Sequence, residues 1–270
     1  MPEGGRLDVR KTYKLFIGGD FPRSESGRAY EVEGVWAAQA SRKDVRDAVR
    51  AARGASGGWK AKTAYNRGQI LYRIAEVLET RAPELVAEGA AEDEVAAAVD
   101  RWVWYAGLTD KINAIFGTVN PVAGPYFDFT VAEPVGVVGV AAPDEPPLLG
   151  ITSRLAPVLA GGNVAVVVAS ETHPRASVAL AEVIATSDVP GGVVNILTGH
   201  KAELLPWLAS HLDVDSLDLT GAPDGALTAL EAAAADGVTR TVRADDALGQ
   251  SPYDVASFME MKTIWHPIGQ

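Results

Sequence analysis

Residues 135–168 read VGVVGVAAPDEPPLLGITSRLAPVLAGGNVAVVV, and this stretch decides the fold class. It opens and closes with valine-rich runs, at 135–141 and 163–168, and the segment between them has the length and apolar content of a helix. Continuous runs of Val, Ile and Leu are typical of parallel strands whose two faces are both covered by helices. The stretch therefore predicts one β-α-β unit of an open parallel sheet.

The same alternation of apolar strands and helices continues to residue 242. Helices are predicted at 174–186, 201–211 and 224–235, and strands at 193–197, 214–219 and 238–242. Together with the strands of the first unit, these make a sheet of about five parallel strands. We expect an α/β fold whose sheet is open, doubly wound and of the dinucleotide-binding type.

The first 110 residues are predicted to be mostly helical. Tyr13–Ile17 and the turn-forming Gly18–Asp20 predict a short N-terminal hairpin. Ser41 and Asp44 have the spacing of a helix capping box, and a helical apolar pattern follows them. A further helix is expected over 83–104, since it starts with a proline that suits a first turn.

Two segments outside the α/β pattern are predicted to be strands. Within 117–131 the side chains alternate, with Phe127 and Phe129 on one face and Asp128 on the other, as in a half-buried strand. Near the C-terminus, 261–265 reads MKTIW and follows a polar stretch. A lone strand leaves its backbone groups unpaired, so we expect this one to pair with the 117–131 hairpin or with another chain.

The composition is that of a globular protein with an acidic surface. Of 270 residues, 24 are basic and 35 are acidic, which leaves a net charge of −11. Because a polyanion would be repelled, nucleic acid and anionic membranes are not expected as partners. The chain has no cysteine, and we expect no signal peptide or membrane span, which favours a cytoplasmic location. The four histidines lack metal-ligand spacing, so no metal site is predicted.

Several long stretches resemble the aldehyde dehydrogenases. The most specific is 133–174, EPVGVVGVAAPDEPPLLGITSRLAPVLAGGNVAVVVASETHP, where the family has EPVGVVG, a Pro-Trp-Asn-Phe-Pro turn, LAPALAAGN and Lys-Pro-Ser-Glu. VPGGVVNILTGH (189–200), DVDSLDLTGA (213–222) and MKTIWHPIG (261–269) resemble later parts of the family in the same order. The chain resembles a truncated, cysteine-free member, similar to the degenerate second module of the two-module aldehyde dehydrogenases.

The resemblance implies a division of the chain into domains. Residues 1–116 and 133–243 correspond to the Rossmann-like NAD-binding domain of the family. Residues 117–132 and 253–270 correspond to the hairpin and the C-terminal strand of the family's oligomerisation arm, and 244–252 form a linker. The family's catalytic domain, which carries the nucleophilic cysteine, has no counterpart in this sequence.

The resemblance also implies that the catalytic groups are missing. Family catalysis begins with attack of a thiolate on the aldehyde, and this chain has no cysteine. Glu145 stands where the family has an oxyanion-stabilising Asn, and Ala247 is the nearest match to the general-base Glu. We expect Glu145 to be a solvated loop residue and not a new general base. No catalytic residue is therefore predicted.

Part of the family's cofactor site remains. Ser170, Glu171 and Gly221 match family residues that contact the cofactor, while Val168 replaces the ribose-binding Lys. Loss of a charged hydrogen bond costs about 1.5–3 kcal/mol, so we expect at most weak binding of NAD or NADP. Glu171 has a second interpretation, which we favour, as the cap of the helix that begins at Pro174.

These observations favour a catalytically inactive homologue that acts as a structural or regulatory subunit. We expect a homodimer, or a hetero-oligomer with a full-length aldehyde dehydrogenase, because both arm segments are kept and strand addition is a common mode of pairing. Two alternatives stay open. One is a weak NAD- or adenine-nucleotide-binding module, and the other is aldehyde dehydrogenase activity only together with a partner chain.

Overall fold

The structure, a computed structural model, describes residues 11–269. Its strands are β1 (Thr12–Tyr13), β2 (Ala29–Val32), β3 (Val35–Ala38), β4 (Thr118–Asn120), β5 (Tyr126–Pro134), β6 (Val137–Ala141), β7 (Val164–Val168), β8 (Val194–Leu197), β9 (Ser216–Asp218), β10 (Arg240–Val242) and β11 (Met259–Pro267). Its α-helices are α1 (Arg42–Ala61), α2 (Ala64–Thr80), α3 (Ala82–Ala87), α4 (Glu92–Leu108), α5 (Ile112–Phe116), α6 (Pro147–Ala160), α7 (Pro174–Ala185), α8 (Lys201–Ala209), α9 (Leu227–Asp236) and α10 (Pro252–Ala256).

The predicted parallel sheet is confirmed. Its strands lie in the order β10-β9-β6-β7-β8, and every neighbouring pair is parallel. Helices α1 and α8 pack on one face of the sheet, and α6 and α7 pack on the other. All side chains of β6, β7 and β8 are buried. Burial on both faces explains why β6 and β7 read as continuous apolar runs without alternation.

The N-terminal region is mostly helical, and its first helix begins at the predicted cap. Ser41 Oγ accepts the backbone N–H of Asp44 at 3.4 Å, and Asp44 Oδ2 accepts that of Ser41 at 2.7 Å. The prediction of one helix over 83–104 is wrong, because α3 ends before Gly89 and α4 begins at Glu92. Gly89 has a φ of +105°, a conformation that glycine adopts readily and that ends a helix.

The predicted N-terminal hairpin is present as a tight turn, since Ile17 and Asp20 exchange backbone hydrogen bonds at 3.0 and 3.1 Å and Leu15 N–H donates to the carbonyl oxygen of Pro22 at 3.1 Å. β2 and β3 form a second hairpin. Glu33 and Gly34 make its turn, and both have positive φ. Two successive residues with positive φ form a type I′ turn, whose twist matches that of the flanking β-strands.

A separate antiparallel sheet consists of β4, β5 and β11, in the order β11-β5-β4, and is called the arm sheet below. β11 pairs with β5 along its whole length, from Met259 opposite Pro134 to Pro267 opposite Tyr126. The C-terminal strand thus pairs with the hairpin of its own chain. This confirms the first of the two pairings that the sequence left open.

Neighbouring residues of β5 in the arm sheet differ in their exposure to solvent. Asp128 is 2% exposed, whereas its neighbour Phe127 is 46% exposed. Asp128 lies opposite Asn120 on one side and opposite Trp265 on the other. The amide of Asn120 donates to Asp128 Oδ1 and, at 3.0 Å, to Thr130 Oγ1. The predicted alternation is present, and exposed aromatic side chains lie on both faces of the arm sheet, since Trp265, which is 57% exposed, shares the face of Asp128.

Residues 244–252, the predicted linker, are fastened to α4 by one arginine. Arg101 donates to the carbonyl oxygens of Leu248 and Gly249, each at 2.8 Å, and to Gln250 Oε1 at 2.9 Å. The segment leads directly into α10, a short helix that the sequence pattern did not predict. These contacts give the approach to β11 a defined position.

Two features are absent from residues 11–269. No helix there combines the length and apolar content that a bilayer-crossing helix needs. No group of three or more His, Asp or Glu residues in this range is placed to hold a metal ion. The expectations about membranes and metals stay predictions for the chain as a whole.

Candidate functional site at the strand ends

The parallel strands bring the three predicted cofactor-site residues to one edge of the sheet. Ser170 and Glu171 follow β7 closely, and Gly221 follows β9. Ligands of open α/β sheets bind in the crevice at this carboxyl edge. Asp144 follows β6 and Lys201 follows β8, so these two residues reach the same edge, although the sequence pattern did not select them. The five residues are called the strand-end cluster below.

Ser170 and Gly221 hold the backbone of this edge together. Ser170 is fully buried, and its Oγ donates to the carbonyl oxygen of Asp144 at 3.1 Å. The same Oγ accepts the backbone N–H of His173 at 3.0 Å. A side chain at Gly221 would meet the backbone of Ala142 at 2.2 Å, so glycine permits a close approach of two loops. Both residues therefore have a structural role within the chain.

Glu171 caps a helix, but not the one that the sequence favoured. Its Oε2 accepts the backbone N–H of Lys201, the first residue of α8, at 3.0 Å, and its Oε1 lies 2.6 Å from His200 Nδ1. The turn into Pro174 is instead closed by Ser170. The prediction of a Pro174 cap is wrong because β7 and β8 are adjacent strands, which places Glu171 beside the start of α8. A carboxylate there also interacts favourably with the helix dipole.

Lys201 is a deeply buried charge of the cluster. Its side chain is 2% exposed, and its Nζ donates to the carbonyl oxygen of Gly221 at 2.8 Å. The Nζ also lies 3.0 Å from Asp144 Oδ2, while Asp144 Oδ1 accepts the backbone N–H of Glu171 at 2.8 Å. A buried ammonium is tolerated only when acceptors surround it. A single lysine in a polar turn gave no sequence signal for this role.

A histidine bridges two glutamates beside the same edge. His173 Nδ1 lies 2.6 Å from Glu33 of the β2–β3 turn, and its Nε2 lies 2.5 Å from Glu145 of the loop after β6. Partial burial on its own lowers the pKa of His173, but the hydrogen bonds and charges of the two glutamates outweigh it. The net pKa is raised above the ordinary 6.5. Glu145 is 66% exposed, so it occupies a solvated loop position as expected.

Tyr30 packs against the outer side of the cluster. Its hydroxyl donates to the carbonyl oxygen of Glu171 at 3.4 Å, and its ring lies 5.2 Å from the His200 ring. Burial, followed by the charge of Glu171, raises the pKa of Tyr30 well above its ordinary value of 10. At neutral pH the phenol therefore stays protonated, which leaves it a hydrogen-bond donor and not a base.

A buried ion pair lies at the end of β9, next to the cluster. Arg154 of α6 and Asp218 of β9 have side chains that are 1% and 0% exposed, and Arg154 Nε donates to Asp218 Oδ2 at 2.7 Å. The hydroxyl of Thr220 donates to the other oxygen of Asp218 at 2.5 Å. Buried charges persist only when they are paired in this way. The pair fixes α6 against β9, the strand that precedes Gly221.

The domain is an α/β domain of the dinucleotide-binding type, as its strand order, its helix-covered sheet faces and its strand-end crevice indicate. Comparison with known proteins identifies the family. The model of the aldehyde dehydrogenase family matches residues 29–244. The mitochondrial aldehyde dehydrogenase of Leishmania tarentolae is 36% identical over 225 residues, which cover 77% of this chain and 45% of that protein. The chain belongs to the aldehyde dehydrogenase family.

Solved structures agree with this assignment. The HpcC protein of Thermus thermophilus has a TM-score of 0.81 at 30% identity, over 86% of this chain and 48% of that one. The NAD+ complex of an aldehyde dehydrogenase from Bacillus cereus has a TM-score of 0.79 at 26% identity, over 86% and 50% of the two chains. The chain thus spans about half the length of the relatives that it matches.

The family uses NAD or NADP, and the strand-end cluster does not fit either cofactor in this arrangement. Asp144, Glu171 and Lys201 are bound to one another and to the backbone. The start of α8, where backbone N–H groups favour a phosphate, is already capped by a carboxylate. The polar side chains of the cluster that a ribose could contact are therefore engaged within the chain. The assignment of Ser170, Glu171 and Gly221 as cofactor contacts stays a prediction.

Proposed function

We propose that this chain is a non-catalytic aldehyde dehydrogenase homologue that assembles with another chain through its arm sheet, as a structural or regulatory subunit. The observation that carries the proposal is the exposed apolar face of that sheet. Two further observations support a role outside catalysis. The chain has no cysteine to supply a thiolate, and the polar groups of the strand-end cluster are engaged internally.

One face of the arm sheet carries an apolar row to which all three strands contribute. Ile264 of β11 lies opposite Phe129 of β5, and Phe129 lies opposite Val119 of β4. Phe127 joins the row, with its ring centroid 5.3 Å from that of Phe129. Val119, Phe127 and Ile264 are 63%, 46% and 40% exposed. A contiguous apolar face of this kind is typical of an interaction surface.

The outer edge of β11 adds a second means of association. β11 is nine residues long and is the edge strand of the arm sheet. Within the described residues, no strand pairs with its outer edge. Free N–H and C=O groups along a long edge pair readily with a strand of another chain. The row and the edge together supply the side-chain and backbone contacts of a strand-addition interface.

The proposed partner is a chain that carries the same arm. A second copy of this chain is the simplest such partner, because identical chains commonly form closed, symmetric dimers. A full-length aldehyde dehydrogenase is the other partner of this kind. Either would cover the apolar row with a surface of matching character. A cytoplasmic location belongs to the same proposal.

Sedimentation velocity tests the proposal with two proteins, the whole chain and a chain that ends after Met259. The shorter chain loses most of β11 but keeps Phe258, whose side chain is fully buried. The whole chain should sediment alone at a multiple of 28.3 kDa, or should co-sediment with a purified full-length aldehyde dehydrogenase. The shorter chain should sediment as a monomer while its circular dichroism keeps the helical signal. A whole chain that stays monomeric in both settings, or a folded shorter chain that assembles equally well, contradicts the proposal.

A further inference from the structure

The strand-end cluster forms a closed ring of contacts across the crevice. Lys201 Nζ binds Asp144, Asp144 accepts the backbone N–H of Glu171, and Glu171 accepts the backbone N–H of Lys201. These residues follow three adjacent strands in the order β6-β7-β8. The contact of Lys201 with the carbonyl oxygen of Gly221 extends the ring to the loop after β9. Four loops are thereby tied together by one side chain and its partners.

The ring contains one ammonium and two carboxylates, and each of these groups is hydrogen-bonded within the chain. Its net charge is negative, which disfavours a ligand that carries phosphate groups. Charge-assisted hydrogen bonds are the strongest class of hydrogen bond in proteins, and the ring contains three of them. A ligand that entered would have to break such bonds and would also lose its own translational freedom. An internal side chain carries no such association cost. The internal contacts are therefore favoured over a bound nucleotide.

The loop after β9 packs closely against the loop after β6. Gly221 already approaches the backbone of Ala142 so closely that an added Cβ would lie 2.2 Å from it. A diphosphate could not pass between these loops unless one of them moved. The Lys201 contact holds the carbonyl oxygen of Gly221 in place from the other side.

We propose that Lys201 is an internal occupant of the strand-end crevice, which closes it to NAD, NADP and other adenine nucleotides. The side chain takes the space and the hydrogen-bonding partners that a nucleotide would need. The inference goes beyond the proposed function, which concerns the arm sheet, and each of the two can fail without the other.

Amine acylation of the folded chain, measured by peptide mass mapping, tests whether the Lys201 amine is shielded from solvent. Lys201 should react roughly tenfold or more slowly than Lys43, whose side chain is 59% exposed. Asp144→Ala removes one contact and should accelerate labelling of Lys201. The matched control is Glu25→Ala, which removes the ion-pair partner of Lys43 and should leave its already fast labelling unchanged. Labelling of Lys201 as fast as that of Lys43 in the wild-type chain overturns the proposal.

Titration with NAD+ tests whether Lys201 is what keeps the crevice closed. Lys201→Ala should bind NAD+ roughly tenfold or more tightly than the wild-type chain, because the competent open state becomes more populated. Equal affinities of the two proteins, including undetectable binding by both, overturn the proposal. If the alanine variant fails to fold, Lys201→Met, which keeps the apolar stem, replaces it in the same comparison.

Discussion

In the strand-end cluster, the Lys201 side chain is 2% exposed and contacts two oxygens, whereas on the arm sheet Val119 is 63% exposed. The first region is built from charged groups that satisfy one another. The second presents apolar side chains, led by Phe127 and Ile264, to solvent. A polar site whose groups are all satisfied has little to gain from a ligand, while an apolar face gains from being covered. This difference supports the proposal that the chain binds a partner through its arm sheet.

The largest effect on stability is expected from breaking the buried ion pair beside the strand-end cluster. Arg154→Met leaves Asp218 buried without its partner, so the free energy of unfolding should fall by about 3–5 kcal/mol. Urea unfolding followed by circular dichroism measures it. The matched control is Lys43→Met, which removes an ion pair whose side chains are 59% and 46% exposed. The control should cost less than about 1 kcal/mol. Equal losses of unfolding free energy in the two variants would show that the buried ion pair contributes no more to stability than the exposed one.

The second prediction concerns assembly through the apolar row of the arm sheet. Phe127→Ser combined with Ile264→Ser removes two members of the apolar row and should weaken assembly by about 2–3 kcal/mol, or on the order of a hundredfold in dissociation constant. Sedimentation equilibrium over a concentration series measures the change. Tyr65→Ser combined with Tyr72→Ser is the control, because these aromatic side chains are 67% and 50% exposed on α2, outside the arm sheet. Weakening by the control pair to the same degree contradicts the role of the row.

The smallest effect is a pH dependence at the bridge between Glu33 and Glu145. Because the pKa of His173 is raised above 6.5, the folded state binds its proton more tightly than the unfolded state. The bridge therefore contributes stability below about pH 6.5, and this contribution is lost as the pH rises through the raised pKa. His173→Gln should cost a few tenths of a kcal/mol near pH 6, since solvent screens the pair, and almost nothing near pH 9. Thermal unfolding of both proteins at the two pH values checks the sign, which is reversed if the histidine is buried neutral.

Most of the central sheet could be predicted because its physical signal is local. Strands such as β6 and β7 are covered on both faces, so each reads as a valine-rich run without polar residues, whatever its neighbouring strands are. The start of α1 was equally accessible, because the Ser41–Asp44 capping box lies within four consecutive residues. The break at Gly89 was missed because glycine is also compatible with a weaker, continuous helix.

The strand-end cluster could be predicted only in part, because its contacts join residues far apart in sequence. Ser170, Glu171 and Gly221 were found through the family resemblance, and the structure brings them to one edge. Lys201 and the true helix partner of Glu171 depend on the strand order, which places β7 beside β8 and brings the α8 start to that edge. The exposure of the β5 side chains could not be predicted either, because alternation defines two faces of a strand but does not say what covers each face.

Native mass spectrometry of the purified chain with NAD+ in excess tests the central claim most directly, because one spectrum reads both regions. We expect ions at an integer multiple of 28.3 kDa, two or more, without bound nucleotide. Nucleotide bound to this chain would contradict the closed crevice. A 28.3 kDa monomer, both alone and after addition of a purified full-length aldehyde dehydrogenase, would contradict the role of the arm sheet.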